Sequence, residues 1–224
     1  MIELYGHPFS SFTWKAHIAL LASDTRHVFK MLDPGHPDNL AFVAAQHPAG
    51  KFPVLRDGDT VVIEATAIVE YIALHHPGPT QLIPADPETA VRYRMLDRVF
   101  DLYVNGGMQR VVAAHFVDAD NPGAGIRETP DAHEVAGGKA TLRKAYAWLE
   151  KWLGEHGLPQ HVSLVTCAAA PALFYADWVE EIPQDCPQLR ELRSEILALP
   201  DVVTVVDAAR PYRKLFPPGA PDRD

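Results

Sequence analysis

Three hydroxyl side chains stand at one predicted junction between a strand and a helix: Ser10, Ser11 and Thr13. A short apolar run, residues 2–6, precedes them, and residues 11–22 carry apolar side chains at helical spacing. A helix N-terminus offers unpaired N–H groups and the positive end of the helix dipole, so it favours an anion such as a thiolate. A hydroxyl there can donate a hydrogen bond to the anion. It can equally act as the N-cap, which stabilises a helix by about 1 kcal/mol, and this stretch alone leaves both roles open.

A second candidate binding feature precedes a predicted central strand. Pro53 comes directly before that strand, and proline cannot donate a hydrogen bond to a neighbouring strand. A cis peptide bond between Phe52 and Pro53 would present the backbone of Val54 to an extended ligand. The alternative is a proline at the first position of an edge strand, where proline is tolerated.

A second helix N-terminus follows Glu64, where a predicted strand ends and Ala65 and Thr66 open a helix. This terminus is available to a carboxylate, and the Glu64 side chain could pair with an ammonium group. A single ligand carrying a thiol, an ammonium group and a carboxylate would occupy all three places. The alternative is that Glu64 only complements the helix dipole.

The predicted elements around these places follow the order β-α-β-α-β-β-α. The clearest signal is a hairpin, because two β-prone runs within residues 52–64 flank the Asp-Gly-Asp turn at 57–59. Crossover helices require parallel pairing before this hairpin, so the sheet is predicted to be mixed. A proline-rich linker over residues 76–88 follows. Beyond it the pattern is almost entirely helical, with a break or kink predicted at the two glycines 106–107.

The predicted helical half carries side chains whose roles the sequence leaves open. Asp97 and Asp101 stand four residues apart on one helix face, and salt bridges with Arg94 and Arg98 are the favoured interpretation. Four large apolar side chains either line a pocket or belong to the core: Phe9, Tyr103, Met108 and Phe116.

A nearly all-apolar helix over residues 166–182 is predicted to be buried on every side. Ser163 is its predicted N-cap, and Thr166 stands where a capping box needs a side chain that returns a hydrogen bond.

Composition and charge argue against several classes of function. The net charge is −9 and no Lys/Arg cluster is dense, so no nucleic-acid partner is expected. No apolar run approaches the roughly 20 residues needed to span a membrane, and the first residues lack the pattern of a secretory signal. The eleven histidines lack metal-ligand spacing, so no metal site is expected. Cys167 and Cys186 fit free thiols in a reducing compartment, which predicts a cytoplasmic protein.

Taken together, these motifs resemble the glutathione S-transferase family over nearly the whole chain. The resemblance is closest to serine-type members from bacteria and plants. It implies an α/β N-terminal thioredoxin-like domain with a mixed four-stranded sheet over residues 1–77, and an all-helical C-terminal bundle over 87–224. It is carried by LYGHPFSSFTWK (4–15), HPAGKFPVL (47–55), DGDTVVIEATAIVEYI (57–72), the proline-rich linker and VSLVTCAAAPALFYADW (162–178).

The resemblance implies a glutathione transferase that conjugates the glutathione thiolate to small, apolar electrophiles and forms a homodimer. Two alternatives are a non-catalytic glutathione- or ligand-binding protein and a glutathione-dependent isomerase or dehalogenase. Ser10 would be the catalytic residue that donates a hydrogen bond to the sulfur, which leaves Ser11 or Thr13 as the expected cap. The implied glutathione-binding residues are Ser11, Lys51, Phe52, Pro53, Val54, Glu64, Ala65 and Thr66.

Two positions bear on how the γ-glutamyl end of glutathione would be held. Ala65 stands where the family carries a serine, and the lost hydrogen bond would weaken binding by about 1.5–3 kcal/mol. That corresponds to roughly one to two orders of magnitude in affinity, unless the Thr66 hydroxyl substitutes after a shift of the loop. In related enzymes an acid in the region of Asp97 and Asp101 supports the ammonium group of glutathione.

Overall fold

A computed structural model describes residues 1–118, 122–158 and 161–224 of the chain. The strands form one four-stranded sheet of order β2-β1-β3-β4, in which β1 and β2 are parallel and β3 is antiparallel to both of its neighbours. The predicted mixed sheet and its hairpin are confirmed. The strands are β1 (Ile2–Gly6), β2 (His27–Met31), β3 (Val54–Asp57) and β4 (Thr60–Ile63).

Helices cover the sheet region and make up the rest of the described chain. The helical second half is confirmed, whereas its division from the first at 1–77 and 87–224 stays a prediction. None of the helices in the described ranges is long and apolar enough to cross a membrane. The helices are α1 (Ser11–Ala22), α2 (Pro37–Gln46), α3 (Ala65–His75), α4 (Pro87–Val99), α5 (Gly106–Ala113), α6 (Ala132–His156), α7 (Leu164–Val179), α8 (Pro187–Leu197) and α9 (Pro200–Ala209), with a π-helical turn at Phe100–Asn105 and 3-10 segments at Pro122–Ala124 and Arg210–Leu215.

The strand register brings the three predicted site segments to one edge of the sheet. Tyr5, Val54 and Ile63 form one row across β1, β3 and β4. The chain leaves β1, enters β3 and leaves β4 at this row. The segments 7–10 and 64–66, and the residues just before β3, are therefore neighbours, and α1 and α3 begin at this same edge.

The irregular part of the α4–α5 region lies one turn before the predicted break. The π-helical turn Phe100–Asn105 ends directly before the two glycines. Gly107 instead permits close helix packing, since an added Cβ there would lie 3.0 Å from the Leu142 side chain. A Cβ on Gly138 of α6 would lie 2.7 Å from the Gly107 carbonyl oxygen. The glycines thus allow α5 and α6 to touch, and do not themselves break the helix.

The apolar helix α7 is buried along its whole length, as predicted, and it begins with the predicted capping box. The Ser163 N–H donates to Thr166 Oγ1 at 2.6 Å, and the Thr166 N–H donates to Ser163 Oγ at 3.4 Å. Both residues are fully buried. Because water cannot reach these groups, each depends on its protein partner.

Replacing Ser163 by alanine is expected to lower the free energy of unfolding by about 1–2 kcal/mol, since a buried helix loses its N-cap. Urea denaturation measures this difference. The control is Ser194→Ala, which removes an exposed hydroxyl on α8 and is expected to change stability by less than about 0.5 kcal/mol. Equal stability of the two variants would contradict the importance of the cap.

Candidate active site

An uncharged cleft of about 310 Å³ opens where the sheet edge meets the helical half. Three predicted site residues line it: Ser10, Ser11 and Phe52. Of the four apolar side chains left open by the sequence, three lie in its wall, whereas Tyr103 lines a separate groove between α4 and α6 and is 54% exposed. The cleft is lined by Phe9, Ser10, Ser11, Phe52, Met108, Gln109, Val112, Phe116, Tyr175, Leu215, Phe216 and Pro217.

Ser10 is the N-cap of α1, so the expectation that Ser11 or Thr13 fills that role is wrong. Ser10 Oγ accepts the Thr13 N–H at 3.3 Å. The physical reason is backbone conformation, because Ser10 is extended at φ −93° and ψ 126° whereas Ser11 is already the first helical residue. As a cap the hydroxyl oxygen acts only as an acceptor, so its proton remains free to be donated. The two roles weighed for this hydroxyl are therefore compatible in one residue.

The hydroxyls of Ser11 and Thr13 are enclosed by the protein. Ser11 is 5% exposed and Thr13 is 1% exposed. Neither hydroxyl oxygen has a hydrogen-bond partner among the described residues. Because the Ser11 oxygen is shielded, Ser10 is the hydroxyl better placed to meet a ligand in the cleft.

The loop that presents Ser10 is held from two sides. The Trp14 indole N–H donates to the Pro8 carbonyl at 2.5 Å, and the Tyr175 hydroxyl donates to the Phe9 carbonyl at 3.1 Å. Trp14 belongs to α1 and Tyr175 to α7, so the loop is fixed both by its own helix and by the helical half. Such fastening keeps Ser10 at one position relative to the cleft.

The segment before β3 carries a cis peptide bond between Phe52 and Pro53, which is one of the two arrangements that the sequence leaves open. Phe52 is 37% exposed and reaches the cleft, whereas Lys51 is exposed and does not line it. Val54 is fully buried as the first residue of β3. Its role in pairing with a ligand backbone stays a prediction.

The start of α3 combines backbone strain with an uncapped N-terminus. Glu64 has φ +68°, a conformation that non-glycine residues adopt at a cost and that is found mainly at functional sites. Its side chain is 73% exposed, with Oε1 3.4 Å from His47 Nε2. No described side chain caps α3, which begins at the buried Ala65. The first N–H groups of α3 thus have no side-chain acceptor and can donate hydrogen bonds to an anion.

The Thr66 hydroxyl points away from that N-terminus, into a buried ionic cluster. It accepts a hydrogen bond from Lys15 Nζ at 2.7 Å and donates to Asp97 Oδ2 at 3.0 Å. The Thr66 hydroxyl thus already uses its proton as a donor and its oxygen as an acceptor. In this conformation it is not available to replace the serine hydroxyl that is missing at Ala65. An anion at the start of α3 would therefore meet backbone N–H groups and no side-chain hydroxyl.

The centre of this cluster is Lys15, whose side chain is 1% exposed. Its ammonium contacts Asp97 and lies 2.6 Å from Asp101 Oδ2. Burial raises the pKa of Asp101, and the Lys15 charge opposes that rise. We refer to Lys15, Thr66, Asp97 and Asp101 as the Lys15 cluster.

The predicted pairing of these acids with arginines on their own helix is confirmed for Arg98 and wrong for Arg94, and the buried cation between the two acids is Lys15. Arg94 pairs with Glu70 at 2.6 Å, and Arg98 lies 3.6 Å from Asp97 with its side chain 55% exposed. A lysine enclosed between helices needs counter-charges because an unpaired buried ion is strongly unfavourable. The sequence held one signal of this, because Lys15 has the helical spacing that places it on the same face of α1 as Ile18 and Ala22.

Comparison with known proteins gives a family match for the N-terminal part of the chain and a fold for most of its length. Residues 4–80 match the family model described as glutathione S-transferase, N-terminal domain. A probable maleylacetoacetate isomerase of Caenorhabditis elegans is 30% identical over 106 residues, which is 47% of this chain and 47% of that protein. The chain thus matches about half the length of that relative.

Solved structures extend the likeness to the helical half. Glutathione transferase F7 from Populus trichocarpa has a TM-score of 0.77 at 21% identity and covers 93% of this chain and 99% of its own. A glutathione S-transferase from Rhodospirillum rubrum F11 has a TM-score of 0.73 at 21% identity, covering 92% of this chain and 91% of its own. These likenesses confirm the predicted class, a thioredoxin-like domain followed by helices. The serine-type subclass stays a prediction.

Proposed function

Because residues 4–80 match the N-terminal domain of glutathione S-transferases, we propose that the chain belongs to this family and conjugates glutathione to small apolar electrophiles. The carrying observation is the position of Ser10, which caps α1 at the mouth of an uncharged cleft and keeps its proton for donation. A thiol near this hydroxyl and helix N-terminus would ionise below its ordinary pKa of about 8.5. The nucleophile is the ligand's sulfur, and Ser10 only stabilises its charge.

The rest of glutathione would lie along the same edge of the sheet. The backbone of Val54 would pair with the peptide in a strand-like manner. At the γ-glutamyl end, Glu64 would face the ammonium group, and the N–H groups of Ala65 and Thr66 would donate hydrogen bonds to the carboxylate. Lys51 and Phe52 would border the ligand on the side of the preceding loop. Catalysis in this arrangement comes from positioning and from thiol ionisation.

The electrophile would occupy the cleft. The cleft is lined by aromatic and aliphatic side chains together with Ser10, Ser11 and Gln109, and none of these lining residues carries a formal charge. Such a surface favours neutral apolar molecules over charged ones, because a charged group would lose hydration there without gaining a partner. We further propose a cytoplasmic homodimer, in line with the family and with the two free cysteines.

A second candidate is a glutathione-dependent isomerase, favoured by the identity to the Caenorhabditis elegans relative. Both functions use the same thiolate and differ in what the cleft accepts. Steady-state assays with glutathione and neutral aromatic electrophiles, run beside isomerisation of maleylacetoacetate, separate them. Conjugation alone supports our proposal and isomerisation alone supports the second candidate. Saturable glutathione binding without either reaction would identify a binding protein.

Replacing Ala65 by serine is expected to tighten glutathione binding about tenfold, because a hydroxyl would add one hydrogen bond to the γ-glutamyl carboxylate. Isothermal titration calorimetry measures the dissociation constant. The matched control is Ala67→Ser, on the exposed face of α3, which should leave it unchanged. Unchanged or weaker binding by Ala65→Ser would contradict the placement of the carboxylate at this N-terminus.

A further inference from the structure

The loop that presents Ser10 contains one titratable side chain, the half-buried His7. The His7 carbonyl accepts the Ser10 N–H at 3.0 Å. The His7 ring nitrogen Nδ1 accepts the Phe9 N–H at 3.1 Å. A ring nitrogen that accepts a hydrogen bond carries no proton, so the ring is neutral and its proton is on Nε2. Both backbone N–H groups just before α1 are therefore satisfied by this single residue.

We infer that His7 is a positioning residue for Ser10, because its neutral ring holds the loop backbone in the conformation that places Ser10 at the N-terminus of α1. The inference rests on the proposed role of Ser10. An imidazolium has two donors and no acceptor, so protonation of His7 turns the Phe9 hydrogen bond into a contact between two N–H groups. Acidification through this titration therefore loosens the loop and moves Ser10 away from its cap position.

The surroundings of the ring keep it neutral near pH 7. Burial lowers the pKa of His7 below its ordinary 6.5, and the negative charge of Asp33, which follows β2, opposes this effect. Asp33 is itself paired with His36 at 2.7 Å, which satisfies part of that charge. From the 3-10 segment Arg210–Leu215, the Tyr212 ring meets His7 edge to face with centroids 4.7 Å apart. Since the folded protein disfavours the charged ring, the protonated form accumulates only below pH 6.5.

Two variants separate the effect of losing the hydrogen-bond acceptor at position 7 from the effect of protonating the His7 ring. In His7→Asn the side-chain oxygen can accept the N–H two residues on, as in an Asx turn, and it does not titrate. In His7→Ala the acceptor is lost. We expect His7→Asn to keep kcat/KM within about twofold of wild type at pH 7.5, and His7→Ala to lose about 2- to 10-fold at that pH. The deficit of His7→Ala should shrink below pH 6.5, where His7 of wild type becomes protonated and loses its acceptor as well. Ionisation of glutathione gives all three proteins one acidic limb in their pH–rate profiles, so the expected signature is an additional limb below pH 6.5 in wild type alone.

Nuclear magnetic resonance of the ligand-free protein gives a readout that does not depend on activity. The His7 ring should show its proton on Nε2 at pH 7.5. The Phe9 amide should shift with the His7 titration in wild type and stay constant in His7→Asn. The inference would be overturned if the chemical shift of the Phe9 amide did not change with the His7 titration. It would also be overturned if the additional acidic limb below pH 6.5 persisted in His7→Asn.

The same experiments keep the inference apart from the proposed function. If Ser10→Ala is fully active while the Phe9 amide follows His7, the proposed role of Ser10 fails and with it the link from His7 to catalysis. If Ser10→Ala is inactive while His7→Ala and His7→Asn both match wild type at every pH, only the His7 inference fails.

Discussion

Replacing Ser10 by alanine is expected to lower kcat/KM for glutathione conjugation by up to about 30-fold at pH 7. The enzyme would lose the donor that stabilises the thiolate, and a thiol with its ordinary pKa of about 8.5 is only about 3% ionised at that pH. The defect should shrink as pH rises through that value, because solvent then ionises the thiol without help. Steady-state kinetics from pH 6.5 to 9 measures both effects.

The cap role of Ser10 requires a control that separates stability from catalysis. Ser10→Asp keeps an equally good cap, so its unfolding free energy should match wild type. It also puts a carboxylate where the sulfur would carry negative charge, so its activity should be at least as low as that of Ser10→Ala. Full activity in both variants would contradict the assignment. A comparable loss in Ser11→Ala with none in Ser10→Ala would move the sulfur contact to Ser11.

Replacing Lys15 by methionine is expected to lower the free energy of unfolding by about 3–5 kcal/mol, because two buried carboxylates lose their cation. The Lys15 cluster joins α1 and α3 to α4 and the π-helical turn, so its loss also loosens the contact between the sheet region and the helical half. Urea denaturation at pH 7 measures the change. Lys144→Met, on the exposed face of α6, is the control and should stay within about 0.5 kcal/mol of wild type.

The stability lost in Lys15→Met is expected to depend on pH because of the Asp101 carboxyl group. Its pKa in the folded protein lies above the ordinary 3.8 because of burial, so the folded state binds this proton more tightly than the unfolded state does. The contribution of Asp101 to the free energy of unfolding therefore falls as pH rises from 3.8 through the pKa of Asp101 in the folded protein. Without Lys15 the folded pKa rises further, and the deficit of Lys15→Met should be smaller at pH 5 than at pH 7. A Lys15→Met protein as stable as the Lys144→Met control would show that the cluster does not hold the fold.

Much of the fold was predictable because its signals are local. The turn at 57–59 and the capping box at Ser163 each depend on side chains within a few residues of the backbone they satisfy. Amphipathic spacing and the apolar run of α7 located most of the helices. The edge of the sheet where the site lies also followed from element order, since crossovers fix which strand ends meet.

The Lys15 cluster could not be predicted because its partners are distant in sequence. Lys15 reaches Thr66 across 51 residues and Asp101 across 86. Spacing along one helix suggested local arginines for Asp97 and Asp101, but tertiary packing buried the acids against another helix. The cap of α1 was misassigned for a related reason: neighbouring hydroxyls look alike in sequence, and only backbone dihedral angles decide which residue precedes the first helical turn.

The most direct test of the central claim is a pH titration of thiolate ultraviolet absorbance with saturating glutathione, on wild type and on Ser10→Ala. We expect wild type to hold the glutathione thiol at a pKa well below its free value of about 8.5, and Ser10→Ala to return it toward that value. A thiol bound to wild type with the pKa of free glutathione would contradict activation by Ser10 and the N-terminus of α1.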